Sequence, residues 1–246
     1  MTIIRRWLDR RRSVQEPAEP DHLTAENMYG KYAIPRSSAH RRAARKILAG
    51  QVYEPDTIAL IRSECGEGDV VHAGTFFGDF LPGLSSALAP GARIYAFEPN
   101  PDNFECALKT LELNQIDNVQ LECLGLGPGP GRSELLTVNA DGVPRGGASR
   151  LRWDGEELSG QSATVEVAID SIDSRVPADR TLSVLQLDVE GHEQAALEGA
   201  LETIRRCRPL ILLESVPSEE WLAEHLLPLG YQAAERVHHN TAFRVV

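Results

Sequence analysis

The chain has 246 residues, of which 42% are hydrophobic and 25% charged, a composition typical of a soluble globular protein with one α/β domain and an extension. No apolar run approaches the ~18 residues of a membrane span, and the N-terminus lacks the apolar core of a signal peptide, so we expect a cytoplasmic protein. The formal charge of −11 is uneven, because residues 1–50 hold 11 Lys and Arg against 5 Asp and Glu, and the remainder holds 14 against 31. This acidic body argues against a nucleic acid as substrate.

Residues 1–14 place apolar side chains at helical spacing among five arginines. One interpretation is a short helix that contacts an anionic membrane surface or an acidic partner. The other is a basic arm without a stable helix, because an isolated helix shorter than ~12 residues is marginal in water. Together with the proline-bearing segment that follows, residues 1–21 are predicted to be an arm and a linker outside the folded domain.

Residues 22–66 are predicted to form a helical cover over the site that the rest of the chain builds. Helices are indicated over about residues 38–48, where Gly50 ends the apolar pattern, and from Asp56, which is a favourable N-cap. Tyr29 and Tyr32 precede these helices and are candidates for contact with a substrate or with adenine. Packing in the core is the alternative explanation for each tyrosine.

The sequence D-V-V-H-A-G-T-F-F-G-D at 69–79 predicts a strand over 70–74, a tight turn and the start of a helix. The turn contains Gly74 and Gly78, and glycine permits both left-handed backbone and the close approach of a ligand. A second strand over 93–98 ends on Glu98, 24 residues after Gly74. In α/β nucleotide-binding folds, an acid roughly 20 residues beyond the glycine turn accepts the ribose hydroxyls.

The turn does not match a dinucleotide fingerprint, because Phe76 and Asp79 stand where G-x-G-x-x-G requires glycine. A phosphate-free adenosyl cofactor with a cationic sulfonium, S-adenosylmethionine, suits an acidic turn better than a pyrophosphate does. We assign the glycine turn to the methionine portion, Glu98 to the ribose and the main chain near Gly125 to the adenine. The predicted cofactor-binding residues are His72, Gly74, Thr75, Gly78, Asp79, Glu98, Asn100 and Gly125.

The α/β domain is predicted to span residues 67–246, with an insertion at about residues 132–170. Helices are indicated over 101–114, after residue 192 and over 217–229, and further strands over 119–125, 183–188, 210–214, 231–237 and 242–246. This alternation predicts a mainly parallel sheet whose last strand is antiparallel because a short turn precedes it. The insertion contains two β-rich pieces and a glycine-bearing loop suited to a lid, and Ser149 in that loop is a candidate substrate contact.

The chain carries five motifs, H-A-G-T-F-F-G-D at 72–79, F-E-P-N-P at 97–101, N-V-Q-L at 118–121, which is close to N-x-V-x-L, L-D-V-E-G-H-E at 187–193 and R-P-L-I-L-L-E at 208–214. Together they resemble the FkbM family of S-adenosylmethionine-dependent methyltransferases over roughly residues 50–215. The resemblance implies a Rossmann-like seven-stranded sheet with helices on both faces and the cofactor at the C-terminal strand tips. It also implies O-methylation of a hydroxyl group on a small molecule or a glycan.

One motif departs from the family pattern. The family usually has an acid two residues before the first glycine and an asparagine two residues after it, whereas this chain has His72 and Phe76. In related methyltransferases this acid helps to hold the amino-acid end of the cofactor, and Asp79 is a candidate to supply the missing charge. A core histidine is the alternative interpretation of His72.

Methyl transfer to an alcohol requires an in-line approach and a group that takes the proton. The candidate catalytic residues are Asp188, Glu190 and His192, which follow the strand over 183–188; we favour Asp188 as the base. A histidine at a helix N-terminus is disfavoured as a cation and so could accept a proton. The carboxylates of this motif could instead bind Mg²⁺, but no metal site is predicted, and four widely separated cysteines indicate no zinc site.

Two other functions fit parts of the pattern. His72 and Phe76 would suit a degenerate, non-catalytic methyltransferase-like binding module. A nicotinamide-dependent oxidoreductase would use the same layered fold, although the broken glycine fingerprint counts against it.

Overall fold

The structure is a computed structural model that describes residues 21–153 and 155–246. Its strands are β1 (His22–Asn27), β2 (Gly30–Pro35), β3 (Asp69–Ala73), β4 (Ile94–Phe97), β5 (Val119–Glu122), β6 (Gly125–Leu126), β7 (Gly131–Val138), β8 (Arg150–Leu151), β9 (Ala163–Asp170), β10 (Leu182–Leu187), β11 (Leu210–Leu213), β12 (Tyr231–Val237) and β13 (Asn240–Val245). Its α-helices are α1 (Arg42–Leu48), α2 (Pro55–Glu64), α3 (Leu81–Ser85), α4 (Pro101–Leu113), α5 (Ile172–Arg175), α6 (Glu193–Glu198), α7 (Leu201–Cys207) and α8 (Glu219–His225).

A seven-stranded sheet lies at the centre, with the strand order β12-β13-β11-β10-β3-β4-β5. The pairs from β11 to β5 are parallel, and β13 runs antiparallel to both of its neighbours. This confirms the predicted mainly parallel sheet with an antiparallel last strand. The strand order reverses between β3 and β10, which in open α/β sheets is the point where ligands bind.

Helices cover both faces of this sheet, so its strands are buried on both sides. Because side chains alternate along each strand, they contribute to two cores, one on each face. Along β3, Val71 and Ala73 pack against α5 to α8, whereas Val70 packs against α2 and α3. Each fully buried aliphatic side chain stabilises the folded state by about 1.5–3 kcal/mol relative to an exposed one. The sheet therefore forms a rigid platform whose strand tips are held in fixed positions.

The segment 22–66 differs from the predicted helical cover, because it opens with the antiparallel hairpin β1–β2 before α1 and α2. The hairpin is stabilised by burial of Tyr32, Ala33 and Ile34, and the Ala33 amide donates to Thr110 Oγ1 on α4 at 3.0 Å. These contacts lie far apart in sequence, so local helix signals could not reveal them.

The insertion forms a small four-stranded sheet of order β6-β9-β7-β8. Its two β-rich pieces are strands as predicted, and its own core contains Leu135, Leu151 and Val167. The predicted strand over 119–125 is divided, because β5 ends at Glu122 and β6 begins the second sheet at Gly125. This change of sheet directs the chain over the C-terminal edge of the central sheet.

The basic arm predicted over residues 1–14 lies outside the described residues. Within the described part of the chain, no helix combines the length and the apolar character needed to cross a membrane.

Candidate functional site

The tips of β3 and β10 meet at the point where the strand order reverses. Gly74 follows β3 with φ +79°, and a Cβ atom on it would lie 1.7 Å from the Asp188 carbonyl oxygen. Only glycine fits this contact. The first glycine of the turn is therefore required to bring the glycine turn against the D-V-E-G-H-E motif.

Two adjoining cavities open at these strand tips, and Gly74, Gly147 and Asp188 line both of them. Including the space open to solvent, the first cavity has a volume of about 450 Å³ and the second about 680 Å³. The first has mostly apolar walls, whereas the second contains five carboxylates, which belong to Glu54, Asp79, Asp188, Glu190 and Glu214. The site thus has an apolar half and an acidic half.

Glu98 lines the first cavity at the tip of β4. Its Oε2 accepts from the Phe76 amide at 2.7 Å, and its Oε1 accepts from the Asn100 amide at 2.9 Å and from Asn103 Nδ2 at 3.2 Å. Burial raises the pKa of Glu98 to about 7, against the effect of these three donors. A carboxylate held this firmly at a cavity wall can accept two hydroxyl groups from a ligand, as a ribose would require.

The rest of the first cavity suits a flat, largely apolar group such as adenine. Pro99, Leu124, Leu151 and Val189 line it, together with Gly125, which the sequence analysis assigns to the adenine. A Cβ atom on Gly125 would lie 2.8 Å from Ile169 of β9, so this glycine also permits packing of the insertion. An adenosyl group therefore fits the residues present, with Glu98 at its polar end.

Ser149 lies in the first cavity and not among the carboxylates of the second. Its hydroxyl donates to the Gly146 carbonyl at 2.7 Å and accepts from Asn100 Nδ2 at 2.9 Å. Ser149, the candidate substrate contact, thus links the insertion to the turn that holds Glu98 through hydrogen bonds. The insertion loop thus forms part of the wall of the first cavity.

His192 also lines the first cavity and does not line the second. Its ring stacks on Trp153 of the insertion, with centroids 4.2 Å apart and an interplanar angle of 6°. Burial and the nearby Arg150 lower the pKa of His192, and its buried Nδ1 has no hydrogen-bond partner among the described residues. This placement favours contact with the adenosyl group over proton transfer at an acceptor.

Three of the predicted cofactor contacts line neither cavity: Thr75, Gly78 and Asn100. The Thr75 hydroxyl donates to the His72 carbonyl at 3.1 Å, and a Cβ on Gly78 would approach Leu81 and Thr110. Asn100 caps α4 by accepting from the Asp102 amide at 3.0 Å. These residues shape the turn and support Glu98.

His72 is buried in β3, lines the second cavity and stacks on Phe80 with centroids 5.3 Å apart. Its Nδ1 is hydrogen-bonded to Gln186 Oε1 on β10, and its buried Nε2 has no partner among the described residues. Burial lowers the pKa of His72 to about 4, so the ring is neutral at pH 7. It therefore does not replace the charge of the acid found in the family pattern.

Phe76 adopts a left-handed conformation with φ +52°. Asparagine tolerates this conformation better than an aromatic residue does, which explains on physical grounds why an asparagine suits this position. The Phe76 ring is instead buried in a core cluster and packs against Gly147, where a Cβ atom would lie 3.1 Å from the ring. Phe76, at the position of the family's asparagine, thus makes an apolar contact between the glycine turn and the insertion.

Asp188, Glu190 and Glu214 form the acidic cluster, in which one oxygen of each lies within 4.8 Å of the others. Burial and the Glu214 carboxylate raise the pKa of Asp188 well above its usual range. Burial and Glu214 also raise the pKa of Glu190 to about 7, and Glu190 has a left-handed backbone with φ +54°. Three carboxylates so close together must share protons or attract a cation.

Glu193 is not part of this cluster. Its Oε1 accepts from the Val189 amide at 3.0 Å and from the Gly191 amide at 3.4 Å, so it holds the turn that presents Glu190. The oxygen set suited to a divalent cation therefore comprises Asp188, Glu190 and Glu214, and not three carboxylates of the D-V-E-G-H-E motif.

Asp79 and Glu54 lie buried side by side in the second cavity. Burial and Glu54 raise the pKa of Asp79 to about 8, so without a bound cation Asp79 is mostly protonated at pH 7. Glu54 accepts from Thr57 Oγ1 at 3.0 Å and from Asn240 Nδ2 at 3.1 Å. Asp79 can therefore supply a negative charge only when a cationic group binds beside it.

Neither tyrosine proposed as a substrate contact lines the cavities. Tyr32 is fully buried, donates to Asn27 Oδ1 at 3.1 Å and packs edge-on against Phe77. Tyr29 packs against Gly83, and the Arg62 guanidinium lies 5.3 Å from its ring centre. Both tyrosines have packing roles, which was the alternative considered for them.

Several residues of the second cavity were not selected from the sequence: Arg41, Arg42, Tyr53, Glu54 and Glu214. For Glu214 a signal existed, because an acid directly after a buried strand lies at the same sheet edge as Glu98 and Asp188. The other four precede the α/β unit, where no spacing rule connects them to the strand tips.

One family model matches most of the chain. Residues 65–236 match the family model described as methyltransferase FkbM domain. A search of curated proteins found no match.

Among solved structures, the chain is similar to methyltransferase FkbM from Methylobacillus flagellatus KT, with 18% identity and a TM-score of 0.49. That alignment covers 72% of this chain and 43% of the other, so this chain spans less than half of that protein's length. It is also similar to an S-adenosylmethionine-dependent methyltransferase from Aquifex aeolicus, with 14% identity and a TM-score of 0.43, over 79% of this chain and 91% of the other. The family match covers well over half of the chain, and the chain therefore belongs to the FkbM methyltransferase domain family.

Proposed function

We propose that this protein transfers the methyl group of S-adenosylmethionine to a hydroxyl group of a small molecule or a glycan. The observation that carries this proposal is the pair of joined cavities, one with apolar walls and Glu98, the other with the acidic cluster. A cofactor that occupied the first cavity would direct its methionine end past Gly74 into the second. The acceptor would then approach from the second cavity.

Within this proposal, Glu98 accepts the ribose hydroxyls and the walls around Val189 and His192 enclose the adenine. Asp79 lies where an ammonium or sulfonium would restore its ionised form. When bound, S-adenosylmethionine supplies an electrophilic methyl group. The protein contributes orientation, because in-line attack depends on the alignment of the two reacting atoms.

The acidic cluster takes the proton of the acceptor hydroxyl. Glu190 is the most suitable member, because its pKa of about 7 lies near the working pH of a general base. Asp188 is more deeply placed, and we assign it the role of sharing a proton with Glu214 and keeping Glu190 poised. The sequence analysis favours Asp188 as the base, whereas we now propose Glu190.

We propose proton transfer without a bound metal ion. The same three oxygens would suit Mg²⁺, so transfer is to be measured after treatment with EDTA and again after Mg²⁺ is added. Activity that survives EDTA supports the carboxylate base, and activity restored only by Mg²⁺ favours the metal.

The test combines binding with transfer. Calorimetry measures the affinity of S-adenosylmethionine for the wild type, for Glu98→Ala and for Glu105→Ala, a control on the exposed face of α4. We expect Glu98→Ala to weaken binding about 10- to 100-fold, because hydrogen bonds to a charged group contribute about 1.5–3 kcal/mol. Unchanged affinity would refute the ribose assignment.

Transfer of a radiolabelled methyl group is then measured with a panel of alcohols, sugars and glycans and a matched panel of amines. Label on hydroxyl acceptors supports the proposal, and label confined to amines contradicts O-methylation. Cofactor binding without transfer to any acceptor in the panels or in a metabolite extract would favour the non-catalytic binding module.

A further inference from the structure

The second cavity has an outer end whose charge is opposite to that of its floor. Arg41 and Arg42 line this cavity together with the buried carboxylates. Arg42 is exposed and Arg41 half-buried, so the guanidinium groups lie toward the solvent side of the acidic floor.

Arg41 is held against the insertion. Its Cγ lies 3.1 Å from the position that a Cβ atom on Gly146 would occupy, and its amide donates to the Ser38 carbonyl at 2.9 Å. Gly146 precedes Gly147, which lines both cavities. The packing of these two segments therefore fixes Arg41 beside the junction of the cofactor half and the acidic half.

Arg145 does not line the second cavity, but its charge interacts with those of Arg41 and Glu190, which do. Its Nε donates to the Ala148 carbonyl at 2.7 Å, and burial and the cations Arg150 and Arg41 lower its pKa. The carboxylates of Glu190 and Glu156 oppose this effect, because their negative charges raise the pKa of Arg145. Like charges held close together in this way favour the binding of an anion between them.

These three arginines differ from others of the insertion. Arg150 pairs with Glu156 and Arg152 with Glu134, each within 2.6 Å. In contrast, no carboxylate lies within 4.0 Å of the guanidinium nitrogens of Arg41, Arg42 or Arg145 among residues 21–153 and 155–246, and Arg42 contacts only the ring of His239 at 3.3 Å. Apart from Arg145 Nε and the Arg42 nitrogen that contacts His239, their guanidinium donors are available for a ligand.

We propose that Arg41 and Arg42, supported by Arg145, form a subsite for a carboxylate or a phosphate group at the outer end of the second cavity. Guanidinium groups bind both anions through paired N–H donors. The anion has two possible sources, the carboxylate of the cofactor's methionine portion and an anionic group on the acceptor. The inference rests on the proposed methyl-transfer function, because it places one of these molecules in the second cavity.

The first experiment measures binding of S-adenosylmethionine and of decarboxylated S-adenosylmethionine by calorimetry. If the arginines bind the cofactor carboxylate, the wild type prefers the intact cofactor about 10-fold, and Arg41→Ala with Arg42→Ala removes this preference. The control Arg45→Ala, an exposed arginine of α1 that does not line the cavity, retains it.

The second experiment titrates inorganic phosphate onto the S-adenosylhomocysteine complex. If the arginines bind an anionic acceptor, phosphate binds the wild type and Arg45→Ala, and the double alanine variant binds it at least 10-fold more weakly with cofactor affinity unchanged. The conservative Arg41→Lys variant and thermal unfolding distinguish the loss of a subsite from the loss of the fold.

The proposal is overturned if the double variant changes neither the preference for the carboxylate nor the affinity for phosphate, or if the wild type shows neither. A wild type that binds no S-adenosylmethionine refutes the proposed function separately, and the phosphate titration on the free protein then still decides whether the subsite exists.

Discussion

The two edges of the central sheet stabilise buried carboxylates in opposite ways. At the N-terminal edge, Asp69 is 1% exposed, accepts from Arg180 Nε at 2.7 Å and accepts from the Arg93 amide at 2.8 Å. At the C-terminal edge, Asp188, Glu190 and Glu214 face one another with no ion pair to a cation among the described residues. The carboxylate at the N-terminal edge is thus paired with an arginine, whereas the carboxylates at the C-terminal edge have no paired cation among the described residues.

This difference separates stability from function. A buried carboxylate with a fixed arginine partner is already satisfied and has little capacity to act on a ligand. A cluster of carboxylates that raise one another's pKa is less stable, but its members can take a proton or bind a cation at neutral pH. The carboxylate at the N-terminal edge of the sheet therefore has a structural role, whereas those at the C-terminal edge are able to exchange protons or bind a cation.

The strongest test of this comparison changes the acidic edge. With the acceptor identified by the transfer assay, Glu190→Gln is expected to reduce kcat by about 10²- to 10⁴-fold, because the amide cannot take a proton. Cofactor affinity should change much less. In the wild type, kcat should rise with pH and level off above about pH 7, since Glu190 acts in its ionised form.

The control for this variant is Glu224→Gln, an exposed carboxylate on α8 whose removal should leave kcat unchanged. Unaltered kcat and an unaltered pH profile in Glu190→Gln would exclude Glu190 as the base. A variant that loses only the inflection near pH 7 would assign that inflection to the cluster, which titrates as a unit.

The second test changes the N-terminal edge. Arg180→Ala leaves Asp69 buried without its cation, and we expect a loss of about 2 kcal/mol of unfolding free energy, or about 4–8 °C in Tm. The loss is smaller than for a fully buried pair, because the Arg180 side chain is 33% exposed. Denaturant unfolding and cofactor calorimetry measure stability and binding in parallel.

Arg132→Ala is the matched control, because Arg132 pairs with Glu166 on the exposed surface of the insertion. Its effect should stay below about 1 kcal/mol. If Arg180→Ala weakened cofactor binding as much as it lowered stability, the two edges would not be separable in the way described above.

The residues that sequence reasoning placed at the strand tips are those whose position depends on local chain geometry. Gly74 and Glu98 follow consecutive strands, and the spacing of a strand, turn, helix and strand brings them to one edge of the sheet. Asp188 follows a third buried strand and reaches the same edge for the same reason. Parallel strands therefore made the floor of the site predictable.

The residues that sequence reasoning missed or assigned differently depend on contacts distant in sequence. Glu54 and Arg41 enter the second cavity from the segment before the sheet, and their positions follow from packing on Gly146 and Asn240. Thr75 and Asn100 belong to the right motifs, but their side chains are used in local hydrogen bonds. Type and spacing locate a motif without showing which atoms face the cavity.

The smallest expected effect is the pH dependence of stability in the unliganded protein. The pKa values of Glu98 and Glu190 are raised to about 7 and that of Asp79 to about 8, so the fold favours their protonated forms. Their contribution to stability is complete below about pH 4 and is lost as the pH rises through 7–8. We expect Tm to fall between pH 5.5 and 8.5.

Asp79→Asn should flatten this decline, because the amide remains neutral over the whole range. Arg180→Ala should lower Tm without removing the decline, because it acts at the other edge of the sheet. A Tm that rises from pH 5.5 to 8.5 would contradict the raised pKa values of the acidic edge. S-adenosylmethionine should raise Tm more at pH 8.5 than at pH 5.5, because the ionised carboxylates that destabilise the unliganded protein are the ones that a cationic ligand stabilises.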